Sequence, residues 1–189
     1  MTEVKGSLLL DVVRLIRANK DRDWKKYLND RDLEIIQSQI LPSSWYPLDT
    51  YERAELAIYQ EIGKGKIENA LVWGRFAMDD LVKRVYQNLI EEQDPLLALE
   101  RFALFRKTLF RSSDPDFQPI EFKQLGPNNA RITIKLNHPL ELFEVYAHQS
   151  MGSFERLVEL AGGKDGKVAM VEHDWKGSRP YAVLEISWK

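Results

Sequence analysis

Arg131-Ile132-Thr133-Ile134-Lys135-Leu136 alternates without a break between polar and apolar side chains. Successive side chains on a strand point to opposite faces, so Ile132, Ile134 and Leu136 line the buried face of an antiparallel strand. Upstream, Ile120 and Phe122 alternate with Glu121 and Lys123, and Gly126-Pro127-Asn128-Asn129 supplies the turn that makes the two runs a hairpin. Downstream, the runs 168–175 and 181–188 flank Lys176-Gly177-Ser178 and predict a second hairpin. Its last strand turns Ala182, Leu184, Ile186 and Trp188 one way, toward a core. Between the hairpins, Asn137 or His138 caps a helix with Pro139 at its first position. That helix carries Leu142, Val145, Phe154, Leu157, Val158 and Leu160 and stops at Gly162-Gly163. Residues 118–189 therefore read as ββαββ, a four-stranded, mainly antiparallel sheet with one crossover helix over it.

From residue 4 to about 111 the apolar spacing is helical instead. Val4, Leu8, Val12, Leu15 and Ile16 form one stripe over 4–18, and Leu33, Ile36 and Ile40 another over 31–40. The stretch from Leu41 to Pro47 holds two prolines and cannot be helical. Asp49 with Glu52 reads as a capping box opening a third helix to Ile62, and Gly63 and Gly65 end it. A longer helix spans 66–91, and Asp94 followed by Pro95 starts a fifth that runs to about Phe110. The expected class is α+β: N-terminal helices over 1–111 packed with the C-terminal sheet, in a single domain covering 1–189.

Composition narrows the function. At 189 residues with 44% hydrophobic and 30% charged side chains, the balance is that of an ordinary globular domain. Twenty-seven basic against 29 acidic residues leave a net charge of -2, so no global field favours nucleic acid or an anionic membrane. The chain has no Cys, which excludes a disulfide framework, a thiolate metal site and a cysteine nucleophile. No apolar run approaches the roughly 20 residues of a membrane span. The opening residues lack a basic region followed by a long apolar stretch, and the expected address is cytoplasmic.

Catalytic sets are sparse. There is no Gly-x-Ser-x-Gly and no glycine-rich phosphate loop; Gly63-Lys64-Gly65-Lys66 and Ala161-Gly162-Gly163-Lys164 read as helix ends with solvated lysines. His138 and His148 are ten residues apart, too far for a helical metal pair, and Glu144 with His148 reads as a solvated i, i+4 pair. No metal ligand set and no catalytic set is therefore assigned. An enzyme using His148 or His173 as proton carrier stays open as an alternative. So does an anionic-surface or nucleic-acid binder working through residues 101–111, where four basic side chains are interleaved with three phenylalanines. The same segment also reads as a core helix whose Phe102, Phe105 and Leu109 face inward while its cations stay in water.

Five Trp, seven Tyr and eight Phe make the chain 11% aromatic. Rings at helix ends and in loops line apolar pockets, and they equally fill a core or a dimer interface. The run from Met151 to Gly163, then 168–175 and 181–188, resembles a superfamily that includes the heme–nitric-oxide binding (H-NOX) domains, the vinyl-reductase-like domains and the TRAPP-type tethering subunits. Tyr46-Pro47, Gly74-Arg75 and the final Ser187-Trp188 look like a bacterial branch of that group, and the resemblance covers roughly residues 40–189. It implies an α+β fold, commonly dimeric, with a small-molecule or lipid cavity between helices and sheet. The H-NOX pattern also needs a proximal His on a helix before the sheet and a Tyr-x-Ser-x-Arg set. This sequence has no His before 138 and no such tyrosine, so no heme and no other cofactor is expected.

The resulting expectation is a non-enzymatic sensor or adaptor that binds a small apolar or amphipathic ligand, a protein partner or both, as a homodimer. Trp45, Tyr46, Tyr51, Trp73 and Phe102 are the candidate rings, and Arg75 and Arg106 the candidate cations for an anionic head group.

Overall fold

In a computed structural model describing residues 2–84, 87–90, 92–135 and 142–189, the alternating runs form the sheet they predict. Strands β4 (Ile120–Gly126), β5 (Asn129–Lys135), β6 (Lys167–Asp174) and β7 (Tyr181–Ser187) pair antiparallel throughout, in the order β4-β5-β7-β6. β7, the most apolar strand, lies in the middle. Its Ala182, Leu184 and Ile186 face inward beside Ala130, Ile132 and Ile134 of β5, and all six are at most 1% exposed. The opposite face is polar and paired across strands: Arg131 meets Glu185 at 2.5 Å and Lys135 meets Glu121 at 2.6 Å. A period of two has thus sorted one sheet into a core side and a solvated side.

The chain divides into two compact units. The second comprises Ile67–Lys107 with Gln118–Lys189, and holds that sheet with helices α4 (Ile67–Arg84), α5 (Pro95–Lys107) and α6 (Phe143–Leu160). α6 crosses from β5 to β6 over the apolar face, α5 packs on α6 and β4, and α4 packs along α6. Phe143, Phe154, Leu157 and Val158 of α6 are buried in one cluster with the inner sheet face. The α4–α6 contact is close because both helices carry glycine at the crossing. A Cβ on Gly74 would overlap the Gln149 carbonyl, and one on Gly152 would overlap that of Leu71. Ser153 seals the contact, its hydroxyl donating to the Gly74 carbonyl at 3.0 Å.

The first unit comprises the residues up to Lys66 with Thr108–Phe117. Here the helical reading needs correction. Val4 belongs to a strand, β1 (Thr2–Lys5), and α1 starts only at Gly6 (Gly6–Ala18). β1 pairs antiparallel with β2 (Trp45–Pro47), in the segment read as non-helical, and with β3 (Phe110–Ser112), so β1 and the first residue of β3 form strand where helix is expected. The fifth helix accordingly ends at Lys107 rather than Phe110. Strands of three or four residues are too short to declare a period, and their partners lie about 40 and 110 positions away. Gly6 is needed at the strand-to-helix junction, because a Cβ there would overlap the Leu41 carbonyl.

Helix starts were half legible. Asp94 caps α5 as expected, accepting from the amides of Leu96 and Leu97. The capping box read at Asp49 and Glu52 is not formed: α3 (Leu48–Glu61) has Pro47 as its N-cap, which has no side-chain acceptor. Glu52 then sits beyond the first turn, and Pro47 offers it no N–H. The box lies instead at Asn29 and Asp32, opening α2 (Asp30–Gln37). The expected cap at Asn137 or His138 with Pro139, and the positions of Val85 and Leu136, fall outside the described residues.

Glu52 carries a testable cost. Its Oε1 is buried with no hydrogen-bond partner among the described residues. Burial, then repulsion from Asp49 and Glu55, pushes its carboxyl up to about 7, against a lowering by Arg53. A raised carboxyl holds its proton more tightly when folded, so its contribution is full below about pH 4.5 and is lost as pH rises toward 7. Glu52→Gln is expected to stabilise the protein by about 1–2 kcal/mol at pH 8 and to be neutral at pH 4.5. Thermal melts of both proteins at the two pH values check this; equal gains at both would refute it.

Candidate functional site

The described residues of the second unit enclose a small, partly open cavity between helices and sheet. Phe102 on α5 and Phe154 on α6 form its aromatic wall, meeting edge to face at 5.8 Å and 80°. Ile120 and Ile134 close it from the sheet. α5 delivers Phe102 and Arg106 one turn apart on a single helix face, so ring and guanidinium enter together. α6 delivers Tyr146, Ser150, Ser153 and Phe154 by the same spacing.

The polar groups are organised. Arg106 donates to the Tyr146 hydroxyl and lies 5.3 Å from the centre of that ring. Tyr146 packs on Phe143, and Phe143 on Trp175, which stacks with His173 at 4.4 Å. Ser150 is 9% exposed. The cavity volume is about 20 Å³, roughly the room that one or two water molecules require.

Of the seven candidate residues, Phe102 and Arg106 line this cavity. Trp73 and Arg75, on α4 of the same unit, do not. Arg75 is held in an ion-pair network along α4 and α6: it pairs with Glu155 at 3.4 Å and Glu159 at 2.7 Å, and Arg156 joins Glu159 to Asp79. Burial raises the Glu159 carboxyl, but hydrogen bonds from Arg75 and Arg156 outweigh it and the net shift is downward.

Trp45, Tyr46 and Tyr51 belong to the first unit. Trp45 lies under two cations, Arg111 at 4.7 Å and Lys5 at 5.7 Å from its ring centre. The Tyr46 hydroxyl accepts from the Leu41 amide, and the Tyr51 hydroxyl donates to Glu55 at 2.6 Å. Tyr146 and Ser150 were missed. Both stand on the helix read as an apolar stripe, and only their i, i+4 spacing beside Phe154 put them on its inner side.

The basic segment is engaged internally. Arg101 donates to Glu92 and the Asn88 carbonyl, Arg106 to Tyr146, and Arg111 to Glu3, while Phe102 and Leu109 are buried. These contacts favour the core-helix reading of 101–111. Nδ1 of His148 lies 2.9 Å from the Glu144 backbone carbonyl, so that pair does not meet through its side chains. His173 is exposed beside its Trp. His138 falls outside the described residues. No helix among the described residues is long and apolar enough to cross a membrane.

No family model matches the chain, and no curated protein matches it. Solved structures do. A point mutant of the T. tengcongensis H-NOX domain aligns over 98% of this chain and 97% of its own, with a TM-score of 0.63 at 13% identity. A second Tt H-NOX mutant gives 0.65 at 15% identity, over 98% and 95%. An oxygen-binding H-NOX domain related to soluble guanylate cyclases, in its oxygen complex, gives 0.64 at 14%, over 98% and 95%. The fold is H-NOX-like. The residues do not fit a histidine-held heme: α5, the helix that precedes β4, turns Ala98, Leu99, Phe102 and Ala103 inward and carries no histidine. Phe102 fills the space there with its ring against Phe154.

Proposed function

We propose that this chain, built on an H-NOX-like fold, is a non-enzymatic cytoplasmic sensor or adaptor domain that works as a homodimer. It binds a small apolar or amphipathic ligand, a protein partner or both. The observation that carries the reading is the convergence of Phe102 and Arg106 with Tyr146 on one cavity. Rings withdraw apolar surface from water, and a guanidinium held by a neighbouring hydroxyl fixes the orientation of what enters. Trp45, Tyr46, Tyr51, Trp73 and Arg75 are proposed as further ligand-binding residues.

Native mass spectrometry of the purified protein tests both halves. The expected spectrum shows twice the 22.1 kDa subunit mass with a small adduct that leaves on activation. A bare monomer at micromolar concentration would remove the dimer and leave the ligand without support.

A further inference from the structure

Helix α4 buries Ala70, Gly74, Met78 and Val82 and turns a second stripe outward. Phe76 stands at the centre of that stripe, about 160° round the helix from Gly74. At 68% exposure it is the most exposed large apolar side chain among the described residues, and Val72, one turn before it, is 46% exposed. Exposed Glu68 lies two turns before Phe76 and exposed Lys83 two turns after it. Neither forms an ion pair among the described residues. Asn69 and Asp80, both half-buried, border the stripe. Single apolar side chains on a surface are ordinary; the arrangement of these is not. The midpoint between Glu68 and Lys83 falls beside Phe76, so acid and base stand about 11 Å to either side of the ring. Both also fall on the same flank of the Phe76 direction.

We infer that α4 pairs antiparallel with α4 of a second copy of this chain, an inference that rests on the homodimer reading above. The two Phe76 rings meet at the two-fold axis, and at each end Glu68 lies beside Lys83 of the other copy. In a two-fold interface the same patch serves both subunits, so whatever residue i meets, its counterpart meets residue i in turn. A stripe with an acid at one end, a base at the other and an apolar middle is its own complement under that rotation. A partner of a different sequence requires no such symmetry about one ring. An aromatic side chain at the centre of an interface, shielded by its neighbours, carries a large share of the binding energy, and the flanking charges fix the antiparallel direction.

The test is sedimentation velocity of the whole chain over a concentration series. Phe76→Lys is expected to raise the dimer Kd at least about 100-fold. The ring is exposed within its own subunit, so the variant should keep its circular dichroism spectrum. Glu68→Lys and Lys83→Glu each set like charges together at both ends of the pair, and each should raise Kd about tenfold. The double exchange, Glu68→Lys with Lys83→Glu, should return Kd to within about threefold of the parent. An equal mixture of the two single variants should form mixed dimers more tightly than either variant pairs with itself. Charges that served only the dipole of their own helix would be worst placed in the double exchange, so a dimer restored by it reports the pairing. A double exchange that binds no better than the single variants overturns the antiparallel arrangement. A parent dimer that Phe76→Lys leaves intact overturns this face and leaves the homodimer reading standing. A parent that is monomeric at micromolar concentration removes both.

Discussion

Gly74→Ala is expected to cost at least about 3 kcal/mol and to lower the melting temperature by about 6–12 °C. Two effects oppose each other at this position. Alanine is the better helix former, worth about 1 kcal/mol over glycine in a helix interior. The new methyl, however, would overlap the Gln149 carbonyl oxygen and lie 2.7 Å from its carbon and 2.9 Å from the Ser153 nitrogen. Those are backbone atoms of α6 and cannot rotate away as a flexible side chain would. The helices must separate, and Ser153 loses its bond to the Gly74 carbonyl. The clash wins. Gly152→Ala meets Leu71 in the same way from the opposite helix. Because either change opens one shared crossing, the double variant should cost less than the sum of the singles. Ala77→Gly, on an exposed position of α4, is the control and should cost only about 1 kcal/mol. Calorimetric melts decide it; a Gly74→Ala protein melting within about 2 °C of the parent would mean the crossing is looser than described.

Asp32→Ala is the second large loss, about 3–5 kcal/mol at neutral pH. The carboxylate is fully buried and satisfied four times. It accepts the Asn29 amide at 3.1 Å, the Thr50 hydroxyl at 2.8 Å, and Arg53 through two N–H groups at 2.7 and 2.8 Å. Removing it deletes half of the α2 capping box and strands the Thr50 hydroxyl, which is itself 0% exposed. Arg53 is only half-buried and keeps Asp49 at 3.0 Å, so its charge is the smaller part of the loss. Burial alone would raise the Asp32 carboxyl, but the bonds from Arg53, Thr50 and Asn29 prevail and hold it below its ordinary value. A lowered carboxyl stabilises the fold above its unfolded pKa of about 3.9, and that contribution disappears as pH falls through the folded value. Urea titrations of Asp32→Asn and the parent should therefore differ most near pH 7 and converge below about pH 4. A gap that stays constant with pH would assign the effect to packing instead.

What the sequence revealed and what it hid divide along a physical line. The ββαββ sheet was legible because strands of seven or eight residues leave room for three or four inward side chains, enough to display a period of two. The second sheet has three strands of four, three and three residues, and its pairing is set by contacts remote in the chain. No local window contains that information. The site behaved similarly. Phe102 was legible as one of five candidate rings and Arg106 as one of two candidate cations. Their partners Tyr146 and Ser150 come from another helix and meet them only in three dimensions. Arg75 shows the converse, because its charge was plain but its engagement with Glu155 and Glu159 depends on how α4 lies along α6.

The interleaving of the two units also constrains vectorial synthesis. β1 cannot gain its second neighbour until Phe110–Ser112 has been made. By then all of Ile67–Lys107, which belongs to the other unit, has already emerged. That other unit must in turn wait for Tyr181–Ser187, the strand that joins its two hairpins. The three-stranded sheet is thus incomplete until Ser112 has been made and the four-stranded one from Ile120 until Ser187, so the nascent polypeptide carries an unfinished sheet through most of its synthesis. Unpaired edges of that kind invite pairing with a neighbouring chain, which makes slow translation or high expression the condition under which this protein should need a chaperone.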